Sequence, residues 1–84
     1  FNQINQIVSV YPNPSNGIFT LLKKNAIDLV KAEVYDINGR FIKYIDLSKM
    51  QISTPIDLST VSSGLYFLSI TSSNSKTTIK LLKQ

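Results

Sequence analysis

Residues 56–73 read Ile56-Asp57-Leu58-Ser59-Thr60-Val61-Ser62-Ser63-Gly64-Leu65-Tyr66-Phe67-Leu68-Ser69-Ile70-Thr71-Ser72-Ser73. Asn74 and Ser75 follow, then Lys76-Thr77-Thr78-Ile79-Lys80-Leu81-Leu82-Lys83. The stretch Leu58 to Val61 is a turn, and Gly64-Leu65-Tyr66 opens a strand. This is the local arrangement of a tyrosine corner, in which the ring is buried and its hydroxyl bonds back to upstream backbone. Successive side chains of a strand point to opposite faces. Tyr66, Leu68 and Ile70 therefore share one face, while Leu65, Phe67, Ser69 and Thr71 share the other. After the polar turn Ser72-Ser73-Asn74-Ser75, the last strand turns Ile79 and Leu81 inward and Lys76, Thr78 and Lys80 outward, with Leu82 pointing out near its end.

Working outward, the rest of the chain shows the same habit: short β segments separated by turn residues, with no sustained helical periodicity. The expected strands are Ile7–Tyr11, Gly17–Lys23, Val30–Asp36, Arg40–Ile45, Ile52–Asp57, Leu65–Ser72 and Lys76–Lys83. Short strands at this spacing predict an all-β, seven-stranded, immunoglobulin-like antiparallel β-sandwich, with a small barrel as the alternative. Residues 1–6, rich in Asn and Gln, read as a linker, and residues 7–84 as one domain.

Two turns punctuate the first half. In Tyr11-Pro12-Asn13-Pro14-Ser15-Asn16-Gly17 each proline removes a backbone donor and pushes the preceding residue toward extended geometry. Ser15-Asn16-Gly17 then supplies a turn, with Gly17 free to take positive φ. On local physics this segment ends one strand and launches the next; a recognition loop is the other reading.

The second turn is Asp36-Ile37-Asn38-Gly39-Arg40. Asp-x-Asn-Gly resembles the opening of an EF-hand calcium loop, but no glutamate stands at the twelfth position and no helices flank it. A hairpin fits better. A two-residue loop would pair Val34 with Lys43 and Ala32 with Ile45, placing a lysine on an apolar face. A three-residue loop with Gly39 in the left-handed region pairs Tyr35 with Phe41, Val34 with Ile42, Glu33 with Lys43 and Ala32 with Tyr44. That register sorts one face apolar and gives the other an ion pair and an aromatic pair, and it is the one expected. Tyr35, Phe41, Leu65 and Phe67 then form an outward apolar set, either covered by loops or used as a contact surface.

Composition bounds the chemistry. The chain has 84 residues with no cysteine and no histidine. A core this small has no disulfide to reinforce it. The usual general base and the commonest neutral metal ligand are missing. The acids Asp28, Glu33, Asp36, Asp46 and Asp57 are scattered. This argues against an enzyme and gives no reason to expect a metal or cofactor. Nine basic against five acidic residues give +4, and no acid follows Asp57. The basic end reads either as a handle for an anionic partner or as lysine protection of an edge strand. Dispersed lysines without a basic helix or recognition motif make nucleic acid a poor partner. No apolar run approaches the roughly 20 residues needed to span a bilayer, so no transmembrane segment is expected. The chain begins at Phe1 rather than Met, and reads as a domain of a longer precursor.

The Pro-Asn-Pro turn, the Asp36 to Arg40 hairpin and the Gly64-Leu65-Tyr66 corner with its terminal strand, in that order, resemble the C-terminal sorting domain of the type IX secretion system. The resemblance spans nearly the whole chain and looks like the commoner type A. It implies a domain at the C-terminus of a cargo protein that directs the cargo, via the periplasm, across the outer membrane of certain Gram-negative bacteria. A sortase-like surface protease typically then removes it, leaving the cargo anchored to lipopolysaccharide or released. The implied partners are the type IX translocon, that protease and the upstream cargo domain; the implied location is secreted or cell-surface. The matching positions are Pro12, Asn13, Pro14, Gly17, Asp36, Asn38, Gly39, Gly64, Tyr66, Lys80 and Lys83. Lys76 joins them as an outward lysine of the last strand, whose edge a receptor could extend by strand addition. One departure is Gln84, which follows the final lysine where family members often stop. A carbohydrate-binding or adhesive module on the same fold is the alternative, with Tyr11, Tyr35 and Tyr44 as its platform, although the chain has no tryptophan.

Overall fold

The computed structural model describes residues 8–24, 28–73 and 75–84. It contains seven strands: β1 (Val8–Tyr11), β2 (Ile18–Lys23), β3 (Leu29–Asp36), β4 (Phe41–Asp46), β5 (Ser53–Asp57), β6 (Gly64–Ser72) and β7 (Lys76–Lys83). There is no helix among the described residues. All seven expected strands are present, with ends shifted by a residue or so. The expected Ile7 start of β1, the linker at residues 1–6 and Asn74 in the last turn lie outside the described residues.

The strands form two antiparallel sheets, a three-stranded one in the order β1-β2-β5 and a four-stranded one in the order β4-β3-β6-β7. A single hydrophobic cluster joins them. Phe19, Leu21 and Ile56 come from the first sheet; Ala32, Val34, Leu68, Ile70 and Leu81 come from the second; all are fully buried. The period-2 alternation of the sequence produces this: Phe19 and Leu21 of β2, and Tyr66, Leu68 and Ile70 of β6, alternate into the cluster. Leu47 and Leu58, just past the ends of β4 and β5, close the cluster at opposite ends of the sheets.

The β3–β4 hairpin corrects the expected register. Its loop is the one expected: Gly39 has φ +82°, its N–H donates to the Asp36 carbonyl at 3.0 Å, and Tyr35 pairs with Phe41. Beyond that pair a β-bulge at Ile42 shifts the ladder. Val34 then pairs with Lys43, Glu33 with Tyr44 and Ala32 with Ile45, not with Ile42, Lys43 and Tyr44. The physical reason is what each register would bury. Without the bulge the Tyr44 phenol would face the core and Ile45 the solvent; the bulge exchanges them. Lys43, now on the inner side of an edge strand, sends its ammonium out to the Asp57 carbonyl of the opposite sheet, 2.9 Å away.

Candidate functional site

Antiparallel topology places one set of strand ends together. The β1–β2, β3–β4 and β5–β6 connections and the end of β7 all lie at one pole of the two sheets. Pro12, Asn13, Pro14, Gly17, Asp36, Asn38, Gly39, Gly64, Tyr66, Lys80 and Lys83 are gathered there. Lys76 is not: it pairs with Thr71 at the far end of β6 and β7.

The Pro-Asn-Pro segment is a clamp on the last strand. Both Tyr11-Pro12 and Asn13-Pro14 are cis peptides. The Asn13 amide lies along the outer edge of β7: its Nδ2 donates to the Lys80 carbonyl at 2.7 Å, and its Oδ1 accepts from the Leu82 N–H at 3.0 Å. One side chain thus satisfies two edge groups as a neighbouring strand would. Ser15 continues the pairing by backbone, donating to the Leu82 carbonyl at 3.0 Å and accepting from the Gln84 N–H at 2.8 Å. The expectation that the edge of β7 stands open for strand addition is therefore corrected. Its C-terminal half is already paired, and the same bonds tie the three-stranded sheet to the four-stranded one.

Gly17 also differs from expectation. Its φ is not positive. A Cβ there would stand 3.0 Å from the Ser59 Cα, tighter than ordinary contact, so glycine suits the position because the β5–β6 turn passes against it. The Leu58 N–H donates to the Gly17 carbonyl at 2.7 Å and fixes that approach. Gly64, with φ +149°, begins β6 opposite Lys83.

The tyrosine corner is present. Tyr66 is 6% exposed and its hydroxyl donates to the Ser62 carbonyl at 2.7 Å. Lys83 completes the same turn from the other side. The terminal lysines are not equivalent: Lys80 points to solvent, whereas Lys83 is only 9% exposed. The Lys83 ammonium donates to the Val61 carbonyl at 2.5 Å and lies 3.5 Å from the Ser59 carbonyl. It satisfies turn carbonyls, so the basic handle at the chain end does not include it. Alternation held the signal, since Lys83 follows Ile79 and Leu81 in phase.

Asp36 organises the β3–β4 turn. Its Oδ1 accepts from the Arg40 and Asn38 N–H groups, both at 2.9 Å, and its Oδ2 faces the Arg40 guanidinium at 3.1 Å. The Arg40 N–H first, then the Asn38 N–H and the Arg40 charge, hold this carboxyl below its ordinary value against the opposing effect of desolvation. Asp57 is lowered likewise, by the Ser59 hydroxyl and then the Ser59 N–H. Asp46 is lowered by the Ser48 N–H and then its hydroxyl. Each is a turn cap. Among the described residues no group of three or more acids, histidines or cysteines is placed to hold a metal.

Sequence reasoning named these positions but not their joint geometry. Ser15 was not singled out as a site residue; its place between two prolines and a glycine was the available signal. The pole is thus the end of a β domain where a turn motif is stapled onto the last strand. The chain matches the secretion system C-terminal sorting domain family over residues 9–84. It belongs to that family. Its members are the sorting tails of the type IX secretion system, which makes this a domain of a secreted or cell-surface protein that interacts with that system. No curated protein matches the chain in sequence. In this sorting domain no helix of the described residues is long and apolar enough to cross a membrane.

Proposed function

We propose that this chain is a non-catalytic, type A sorting signal that carries an upstream cargo through the periplasm and across the outer membrane by the type IX translocon. A sortase-like surface protease then removes it. The observation that carries this reading is the family match over residues 9–84 together with the docking of Pro12-Asn13-Pro14 onto the terminal strand. Residues 1–6 act as the linker to cargo and residues 7–84 as the folded signal. Pro12, Asn13, Pro14, Gly17, Asp36, Asn38, Gly39, Gly64, Tyr66 and Lys83 serve by building the pole; Lys76 and Lys80 remain outward for contact. The two sheets form an immunoglobulin-like sandwich. Support comes from the strand orders β1-β2-β5 and β4-β3-β6-β7, and from a tyrosine early in β6 bonded to the preceding corner.

The adhesive alternative has less support. Tyr11 belongs to the three-stranded sheet, whereas Tyr35 and Tyr44 belong to the four-stranded one, so the three do not make one sugar platform. The test attaches the chain to the C-terminus of a periplasmic reporter in a host with the type IX machinery. Reporter in the culture fluid or on the cell surface, trimmed of the 84 residues, is the expected result. Periplasmic reporter, equal to that without the chain, contradicts the reading; export without trimming contradicts the protease step alone.

A further inference from the structure

The outer face of the four-stranded sheet carries an aromatic row across its strands. Phe41 on β4 pairs with Tyr35 on β3, Tyr35 with Phe67 on β6, and Phe67 with Lys80 on β7. The Tyr35 and Phe41 rings meet edge to face at 5.9 Å. Leu65 and Leu82, paired with each other, extend the row toward the pole. The face is not closed over: Phe41 is 51% exposed, Tyr44 53% and Leu82 43%. The edge of β7 beside it is half occupied by Asn13 and Ser15.

We propose that this face, centred on Phe41, Tyr35 and Phe67 and bordered by Lys80, docks a protein of the export machinery through an apolar patch with a carboxylate opposite Lys80. The inference rests on the sorting reading above and adds to it the surface that is read. Charge selects the partner. Around the row, Arg40 is neutralised by Asp36 at 3.1 Å and Glu33 by Lys31 at 3.7 Å, while Lys80 makes no ion pair among the described residues. The partner must therefore bring an acid to that border. Two facing copies of the chain would bring their unneutralised Lys80 borders onto one surface.

The experiment uses the reporter fusion carrying all 84 residues. Phe41→Ser combined with Leu82→Ser removes two exposed side chains, so denaturant melts should show the domain folded. Export should fall roughly tenfold, the size expected from loss of a buried apolar anchor. The paired substitution Tyr11→Ser and Ile18→Thr, on the other sheet, should leave export near wild type. Should the first variant fail to fold, Lys80→Glu decides instead. It should cut export roughly tenfold while Lys80→Arg and Lys24→Glu do not. Normal export by a folded Phe41/Leu82 variant, or by Lys80→Glu, overturns the inference and leaves the sorting reading intact. Failure of the wild-type fusion to leave the periplasm takes down the sorting reading itself. Phosphatidylglycerol vesicles and sedimentation velocity supply the remaining arms. Co-sedimentation with the vesicles, or dimerisation, that is lost in the same variants would assign the face to a membrane or to a second copy, and overturns the proposal.

Discussion

At the scale of single residues, the pole depends on a few groups that satisfy backbone no strand can reach. Tyr66 and Lys83 approach the β5–β6 turn together, one from β6 and one from β7. Removing only the Tyr66 hydroxyl leaves the Ser62 carbonyl short of a donor. Tyr66→Phe should therefore cost roughly 1–2 kcal/mol in denaturant melts; a loss of only a few tenths would mean the corner is not held by that bond. Gly39 is open to solvent, with nothing within 4 Å of a would-be Cβ, so space is no obstacle there. Its φ of +82° is, and Gly39→Ala should cost about 1 kcal/mol through backbone strain alone. An unchanged melt would contradict the left-handed turn. Asp36, Asp46 and Asp57 accept N–H donors at exposed turns and are lowered below the ordinary carboxylate value. Groups lowered in the folded state stabilise it above their unfolded values, and lose that contribution as pH falls through the lowered ones. With no histidine in the chain, stability should change little between about pH 5 and 8 and decline below about pH 4. A decline starting near neutrality would contradict this assignment.

At the scale of elements, the clamp of Asn13 on β7 makes a prediction of its own. The Leu82 N–H is an edge amide of β7 whose hydrogen bond is supplied by Asn13 Oδ1, 3.0 Å away. Asn13→Ala should speed hydrogen exchange at Leu82 and cost about 1 kcal/mol, while amides of β6 facing β3 stay protected. Equal exchange at Leu82 in both proteins would show that the edge is not closed by this side chain. Much of the fold was legible from the chain, because one sheet face is buried and period 2 names it: Tyr66, Leu68 and Ile70 inward, Phe67 and Leu65 less buried on the other face. The corner was legible because Gly64-Leu65-Tyr66 follows its turn directly. The Ile42 bulge was not. Turn chemistry fixes only the first pairs of a hairpin, and the choice between burying Ile45 or Tyr44 depends on a core assembled from both sheets. Nor was the Asn13 clamp, since its partners Lys80 and Leu82 lie 67 and 69 residues away. Gly17 shows the same limit. A sequence says that glycine is present, but whether it serves φ or the close passage of Ser59 is decided by tertiary packing.

At the scale of the whole molecule, two sheets with one core are stapled at a single pole, and the segments that resemble a sorting signal are the segments that make the staple. The pole ties the start of the domain to its end: Ser15 lies beside Lys83 and Gln84. The sorting face and the structural pole are also separable. Lys83 and Tyr66 hold the pole from inside, while Phe41, Leu82 and Lys80 stand on the surface. The central claim is that this chain alone addresses a cargo to the type IX system. The most direct measurement is the ratio of extracellular to periplasmic reporter, fused to all 84 residues, in paired strains with and without the translocon. The ratio should stand well above that of the unfused reporter in the intact strain and collapse to the unfused level when the translocon is absent. The same ratio in both strains would contradict the claim.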